Sequence, residues 1–185
     1  MEDSRVIRTR KALQGACMRL LSRKELNEIT VTELCKAAGV DRKTFYHHYK
    51  TIADIPEEVE RQVLSDIQKV FDQATKPLDI PLLFKQLLQC LETGVLFPEV
   101  LLTKSAAEQF SLHLGLTMID LLKDRFLAET KLDPVTSTVR ARYITGGVIA
   151  VYLEWFRNGK TIPRDQLADR MGELVERECR QLLVP

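Results

Sequence analysis

The chain is poor in the residues that catalytic and metal chemistry draw on. It has three histidines, four cysteines and one tryptophan in 185 residues. His47 and His48 are adjacent, so on a helix they diverge by about 100° and cannot close on one metal ion. His113 stands alone in an apolar stretch, where a packed or partly exposed imidazole is the ordinary outcome rather than a ligand. There is no HExxH and no CxxC, which removes the common zinc patterns. Cys17, Cys35, Cys90 and Cys179 are scattered beside apolar neighbours. They read as small buried hydrophobes in a reducing cytosol. No GxxxxGK loop and no strand-based GxGxxG is present, so nothing cradles a nucleotide. Carboxylate pairs such as Glu57-Glu58 fall on polar helix faces. No metal, no cofactor and no enzymatic activity are expected.

Other absences bound the fold. The longest apolar run is too short to span a membrane. The opening MEDSRVIRTRK lacks the apolar core of a signal peptide, so a cytoplasmic location is expected. No strand-like alternation, internal repeat or low-complexity tract appears. What remains is helical periodicity throughout, which predicts an all-α chain of about nine helices.

The stretch Ile29 to Ile55, ITVTELCKAAGVDRKTFYHHYKTIADI, organises the rest. Thr30 and Glu33 have the spacing of a capping box, with Ile29 and Leu34 as its hydrophobic staple. The helix they open runs to about Ala38, where Gly39 can take the left-handed conformation that ends it. Asp41 is the next N-cap, with Val40 and Phe45 as a second staple. Two capped helices around a Gly-containing turn predict a helix-turn-helix. Phe45 and Tyr49, four apart, face the core. Lys43, Thr44 and His47 then point away from it, with Tyr46 and Lys50 on the flank. Such side chains read base edges or hold phosphates when a helix enters the major groove. Residues 1–50 carry 11 Lys or Arg against 6 Asp or Glu, while the chain as a whole is only +1. A basic N-terminal end on an otherwise acidic chain fits a nucleic-acid module.

The same residues carry a family likeness. Thr30, Val31, Ala38-Gly39-Val40, Thr44, Phe45-Tyr46, Tyr49-Lys50 and Ile55 together resemble the DNA-binding signature of TetR-type transcriptional regulators, over about residues 5 to 55. The resemblance implies that Tyr46 and Lys50 grip phosphates and that Arg42 to Thr44 reach bases. Double-stranded DNA is the implied partner and repression the usual outcome. The expected DNA contacts are Thr30, Thr32, Arg42, Lys43, Thr44, Tyr46, His47 and Lys50. Two departures stand out. Ile52 occupies a position where the family usually has Lys, and Pro56 falls just inside the following helix. Proline is harmless there only in the first turn, so that helix is expected to start late, at Asp54, or to kink.

The expected division is a DNA-binding domain over 1–52, a bridging helix over 52–75 and a helical C-terminal domain over 76–185, the prolines of KPLDIP marking the boundary. The first helix spans 5–24, and its start, Arg5, Arg8, Arg10 and Lys11, can lie along phosphates or simply be solvated. Beyond the boundary, an apolar helix carrying Leu83, Phe84, Leu87, Leu88 and Leu91 is expected to end near Gly94, followed by a short element at Phe97 to Thr103 and helices over 105–129, 134–158 and 164–183. Leu87, Cys90, Leu91, Phe110, Leu114, Met118 and Tyr143 can line a pocket for a small apolar effector, or make an ordinary core. Gly146 and Gly147 sit inside a helix, where each costs about 1 kcal/mol relative to Ala, so they need a reason. With Tyr143, Ala150, Val151 and Trp155 of the same helix and Leu167, Met171, Leu174 and Val175 of the last, they can form a two-fold homodimer interface, or pack closely within one subunit. The resemblance favours the dimer. Trp155, Gly159 and Pro163 look like the C-terminal region of short members that regulate dihydroxyacetone kinase, which also admits control by a partner protein.

Overall fold

The computed structural model describes residues 4–75, 78–93 and 104–180. Among them are eight α-helices and no strand: α1 (Ser4–Leu21), α2 (Val31–Ala38), α3 (Arg42–His48), α4 (Asp54–Gln73), α5 (Ile80–Thr93), α6 (Lys104–Glu129), α7 (Pro134–Arg157) and α8 (Arg164–Arg180). A single 3-10 turn, Leu26–Glu28, joins α1 to α2. The all-α expectation is borne out. The short element expected at Phe97 to Thr103 lies outside the described residues. Packing divides the described residues into two compact units, an N-terminal one of residues 4–63 with 104–110 and a C-terminal one of residues 64–93 with 111–180.

The N-terminal unit is built on a core of Leu13, Ala16, Cys17, Met18, Leu34, Phe45 and Ile55, all essentially sealed from solvent. The helical spacing of α1 supplies the first four of these. Burying side chains the size of its Leu, Met, Phe and Ile residues contributes roughly 1.5–3 kcal/mol each. Burial pushes the Cys17 thiol up to about 12, so it is an inert packing group. Ile55 and Val59, from the first turns of α4, close the same core. The late start of α4 at Asp54 is observed, and Pro56 becomes its third residue, where the backbone amide has no intrahelical partner to lose.

The C-terminal unit packs α5 directly on α8. A Cβ at Gly172 would meet the Pro81 Cα at 2.9 Å, so the two backbones touch. Lys85 pairs with Asp169 across the same contact at 2.8 Å. Arg125 of α6 donates to the Thr75 carbonyl at 2.7 Å, just past the end of α4. The start of α7 is as read: the Asp133 carboxylate accepts from the amides of Val135 (2.9 Å) and Thr136 (3.0 Å), with Pro134 at the first helical position.

Candidate nucleic-acid interface

The helix-turn-helix is held by its caps. Thr30 accepts from the Glu33 amide at 3.1 Å, and Asp41 from the Thr44 amide at 2.8 Å. Gly39 ends α2 at φ 68°, and the Val40 amide donates back to the Cys35 carbonyl at 3.0 Å, a closure of the Schellman type. One half of the expected capping box is replaced. The Glu33 carboxylate receives the Lys24 ammonium at 2.6 Å instead of reaching the Thr30 amide. That hydrogen bond holds the Glu33 carboxyl below its ordinary pKa.

With α3 fixed, its faces separate as the spacing requires. Phe45 and Tyr49 are buried, while Arg42, Lys43, Tyr46 and His47 are exposed, as are Thr30 and Thr32 at the start of α2. Tyr46 is 52% exposed, yet its ring stands edge-on against Phe45 at 5.1 Å, which fixes its direction from the core. Thr44 is half-buried and its hydroxyl donates to Asp41 at 3.1 Å. Its donor is therefore engaged in the cap, leaving its methyl and its acceptor capacity for other contacts. Lys50 lies beyond α3 rather than on its flank, because Tyr49 is the C-cap. Its position is set by Asp54, whose carboxylate accepts from the amides of Lys50 (2.8 Å) and Thr51 (2.9 Å) and from the Thr51 hydroxyl (2.9 Å). These bonds, that of the Thr51 amide foremost, hold the Asp54 carboxyl below its ordinary pKa.

Of the basic start, Arg10 turns toward the fold, 3.5 Å from Glu58 of α4. Burial first, and Glu58 second, keep the phenol of Tyr49 from ionising in the ordinary range. Asp54, Glu58 and Arg10 were missed as positioning residues by sequence reasoning. The Asp54 role was legible in principle as an acidic residue in the first turn of a helix; the Arg10–Glu58 pair joins positions 48 apart and had no local signal. A short, rigidly capped helix showing cations, an imidazole and a phenol is chemically suited to a polyanion with hydrogen-bonding edges.

Comparison with known proteins agrees. Residues 15–59 match the family of bacterial regulatory proteins of the tetR type. Residues 79–177 match the C-terminal region of transcriptional regulators of that type. The chain belongs to the TetR family. It is 23% identical over 175 residues to YxbF of Bacillus subtilis (strain 168), an uncharacterized HTH-type transcriptional regulator, covering 94% of this chain and 46% of that protein. The chain thus spans about half the length of this relative. Among solved structures it resembles NalD of Pseudomonas aeruginosa, the secondary repressor of the MexAB-OprM multidrug efflux pump. The TM-score is 0.69 at 18% identity, over 95% of this chain and 97% of that one. It also resembles DhaS, the dihydroxyacetone kinase operon activator, with TM-score 0.67 and 14% identity over 94% and 97%. These two likenesses are of fold.

In the C-terminal unit the expected sets are partly regrouped. Leu87, Leu91, Leu114 and Met118 are buried and Cys90 is half-buried; the Phe110 side chain lies outside the described ones. Tyr143 does not join them, because it is 70% exposed on the outer face of α7. Of the expected interface set, Gly146, Gly147, Ala150 and Leu174 are exposed. Trp155, Leu167 and Met171 are instead core residues of their own unit, and the Trp155 indole donates to the Ile162 carbonyl at 2.9 Å. Sequence reasoning also missed Ser137 and Thr145, buried on α7 with hydroxyls that have no hydrogen-bond partner among the described residues. Their only signal was position on the inward face. Among the described residues no group of three metal-binding side chains gathers. No helix there is long and apolar enough to cross a membrane.

Proposed function

We propose that the chain is a cytoplasmic, homodimeric, sequence-specific DNA-binding regulator, a repressor that places two copies of α3 in successive major grooves of a near-palindromic operator. The observation that carries this reading is the exposed row of Arg42, Lys43, Tyr46 and His47 on a helix fixed by caps at both neighbouring turns. In it Lys43, Thr44 and His47 read bases, and Arg42 reaches bases or backbone. Tyr46, Lys50, Thr30 and Thr32 hold phosphates. Gly146, Gly147, Ala150 and Leu174 form the dimer face.

Control comes from a small, largely apolar effector in the C-terminal unit, where Leu87, Leu91, Leu114 and Met118 supply the lining and the unsatisfied hydroxyls of Ser137 and Thr145 supply polar anchors. A second reading is control by a partner protein, with activation rather than repression. It is favoured by the exposed Leu112 (60%) and Leu116 (47%), one turn apart on α6, and by the likeness to an operon activator.

The test is fluorescence anisotropy on the DNA upstream of the protein's own gene, against a scrambled duplex, across a salt series. Tight, salt-dependent preference for the native fragment is expected. Lys50→Ala should weaken binding to both duplexes and lower the salt slope by about one. An unchanged slope would remove Lys50 from the phosphate contacts.

A further inference from the structure

The cap that opens α3 also governs one of the side chains expected to meet DNA. Asp41 closes on Thr44 with both carboxylate oxygens: Oδ1 accepts from the Thr44 amide at 2.8 Å, and Oδ2 from its hydroxyl at 3.1 Å. These bonds, the amide's first, hold the exposed Asp41 carboxyl below its ordinary pKa. An ionised carboxylate only accepts, so the hydrogen of the second contact belongs to Thr44. A threonine hydroxyl has one such hydrogen, and the side chain is stiff at χ1. What the half-buried Thr44 has left to offer is a methyl group and an oxygen that accepts. Turning the hydroxyl toward a neutral base acceptor would exchange a charge-assisted hydrogen bond for a weaker one.

We propose that Asp41 determines base specificity: by fixing the direction of the Thr44 hydroxyl, it makes α3 reject guanine at the base that Thr44 faces. In the major groove adenine and cytosine each present an amino donor, and thymine presents a methyl group beside its O4. Each of these three has a group that meets the accepting oxygen or the methyl of Thr44. Guanine presents only the acceptors N7 and O6. It sets lone pairs against a lone pair and offers no methyl, so its hydrogen bonds to this side chain go unmade. Asp41 thus acts through Thr44 as a positioning residue, and the charge that caps the helix also selects the base. The inference rests on the reading that Thr44 faces a base, and names what sets its preference.

The test inverts the polarity of the contact and keeps the cap. Asparagine caps a helix about as well as aspartate. In Asp41→Asn the amide oxygen still accepts from the Thr44 amide, while the amide nitrogen donates to the Thr44 hydroxyl, whose own hydrogen then turns outward. Duplexes bound by the full-length protein are selected from a random pool. The position whose base composition changes with Thr44→Ala is the one that Thr44 faces. Guanine there should bind the unaltered protein about tenfold more weakly than the preferred base. Asp41→Asn should narrow that ratio to about threefold or less, and adding Thr44→Val, which has no hydroxyl, should restore it. Ratios between bases are read, because removing a carboxylate strengthens binding to every duplex. Guanine favoured at that position by the unaltered protein, or rejected as strongly by Asp41→Asn, overturns the proposal. If no position responds to Thr44→Ala, the reading of Thr44 as a base contact falls with it. A pool with no enrichment at all would remove sequence-specific binding itself.

Discussion

α3 and α7 each turn a row of side chains to solvent, and the two rows have opposite chemistry. On α3 the row is Arg42, Lys43, Tyr46 and His47, cations and hydrogen-bonding groups held in place by neighbouring caps. On α7 it is Val135, Val139, Tyr143, Gly146, Gly147 and Val151, which water solvates poorly. A single exposed apolar side chain needs no explanation, but a contiguous row does. The two faces differ in chemistry accordingly, α3 suiting a polyanion and α7 an apolar surface. The two helices also earn their positions differently. α3 is seven residues long and depends on its caps and on Phe45, whereas α7 has 24 residues and six buried ones along it.

The largest expected effect breaks one side of the contrast and spares the other. Phe45→Ala removes a side chain that is fully buried in the N-terminal core, at a cost of about 3–5 kcal/mol. Urea unfolding should lose that amount and DNA binding should vanish, while the sedimenting species should keep its size because the α7 face is untouched. Simultaneous loss of the dimer would show that the two faces are not independent.

A smaller effect separates glycines that look alike in sequence. Gly172→Ala drives a methyl into the Pro81 backbone, and overpacking of this kind costs roughly 1–3 kcal/mol. Gly147→Ala meets open space in the subunit and should favour α7 by roughly 0.5–1 kcal/mol in the unassociated chain. Thermal unfolding at low protein concentration reads both. Equal shifts of the same sign would contradict the backbone contact.

The smallest effect is electrostatic and spans both units. The Thr44 amide holds the Asp41 carboxyl below its ordinary pKa, and the Thr51 amide does so for Asp54. For Asp133 the Thr136 hydroxyl is the leading cause, followed by its amide. A depressed folded pKa contributes stability that is present above the unfolded value, about 3.9, and is lost as the pH falls through the lowered one. Helical circular dichroism should therefore decline on acidification below about pH 4. The combined Asp41→Asn, Asp54→Asn and Asp133→Asn variant should show a shallower acid limb. An identical limb would mean that the cap charges do not contribute.

Much of the candidate interface was legible because its determinants are local. Thr30, Gly39 and Asp41 act on backbone groups within a few residues, and Pro56 constrains only its own turn, so spacing alone places them. The C-terminal unit was less legible for a physical reason. α6 and α7 carry apolar residues on several sides, and a helical wheel separates faces without saying which face meets a neighbour. Tyr143 was therefore placed in both the possible pocket and the possible dimer face, and Trp155 in the dimer face, whereas the structure leaves Tyr143 exposed and buries Trp155 in its own unit.

The sequence by itself determined the helical class, the helix-turn-helix, its caps, the late start of α4 and the outward row of α3, since each follows from periodicity and from hydrogen bonds over short separations. Tertiary structure alone decided that Glu33 serves Lys24, that Arg10 serves Glu58, that Gly172 rather than Gly147 admits a backbone, and that Tyr143 faces solvent. Those outcomes depend on which helices lie against one another, and contacts between distant segments leave no periodic trace in the chain.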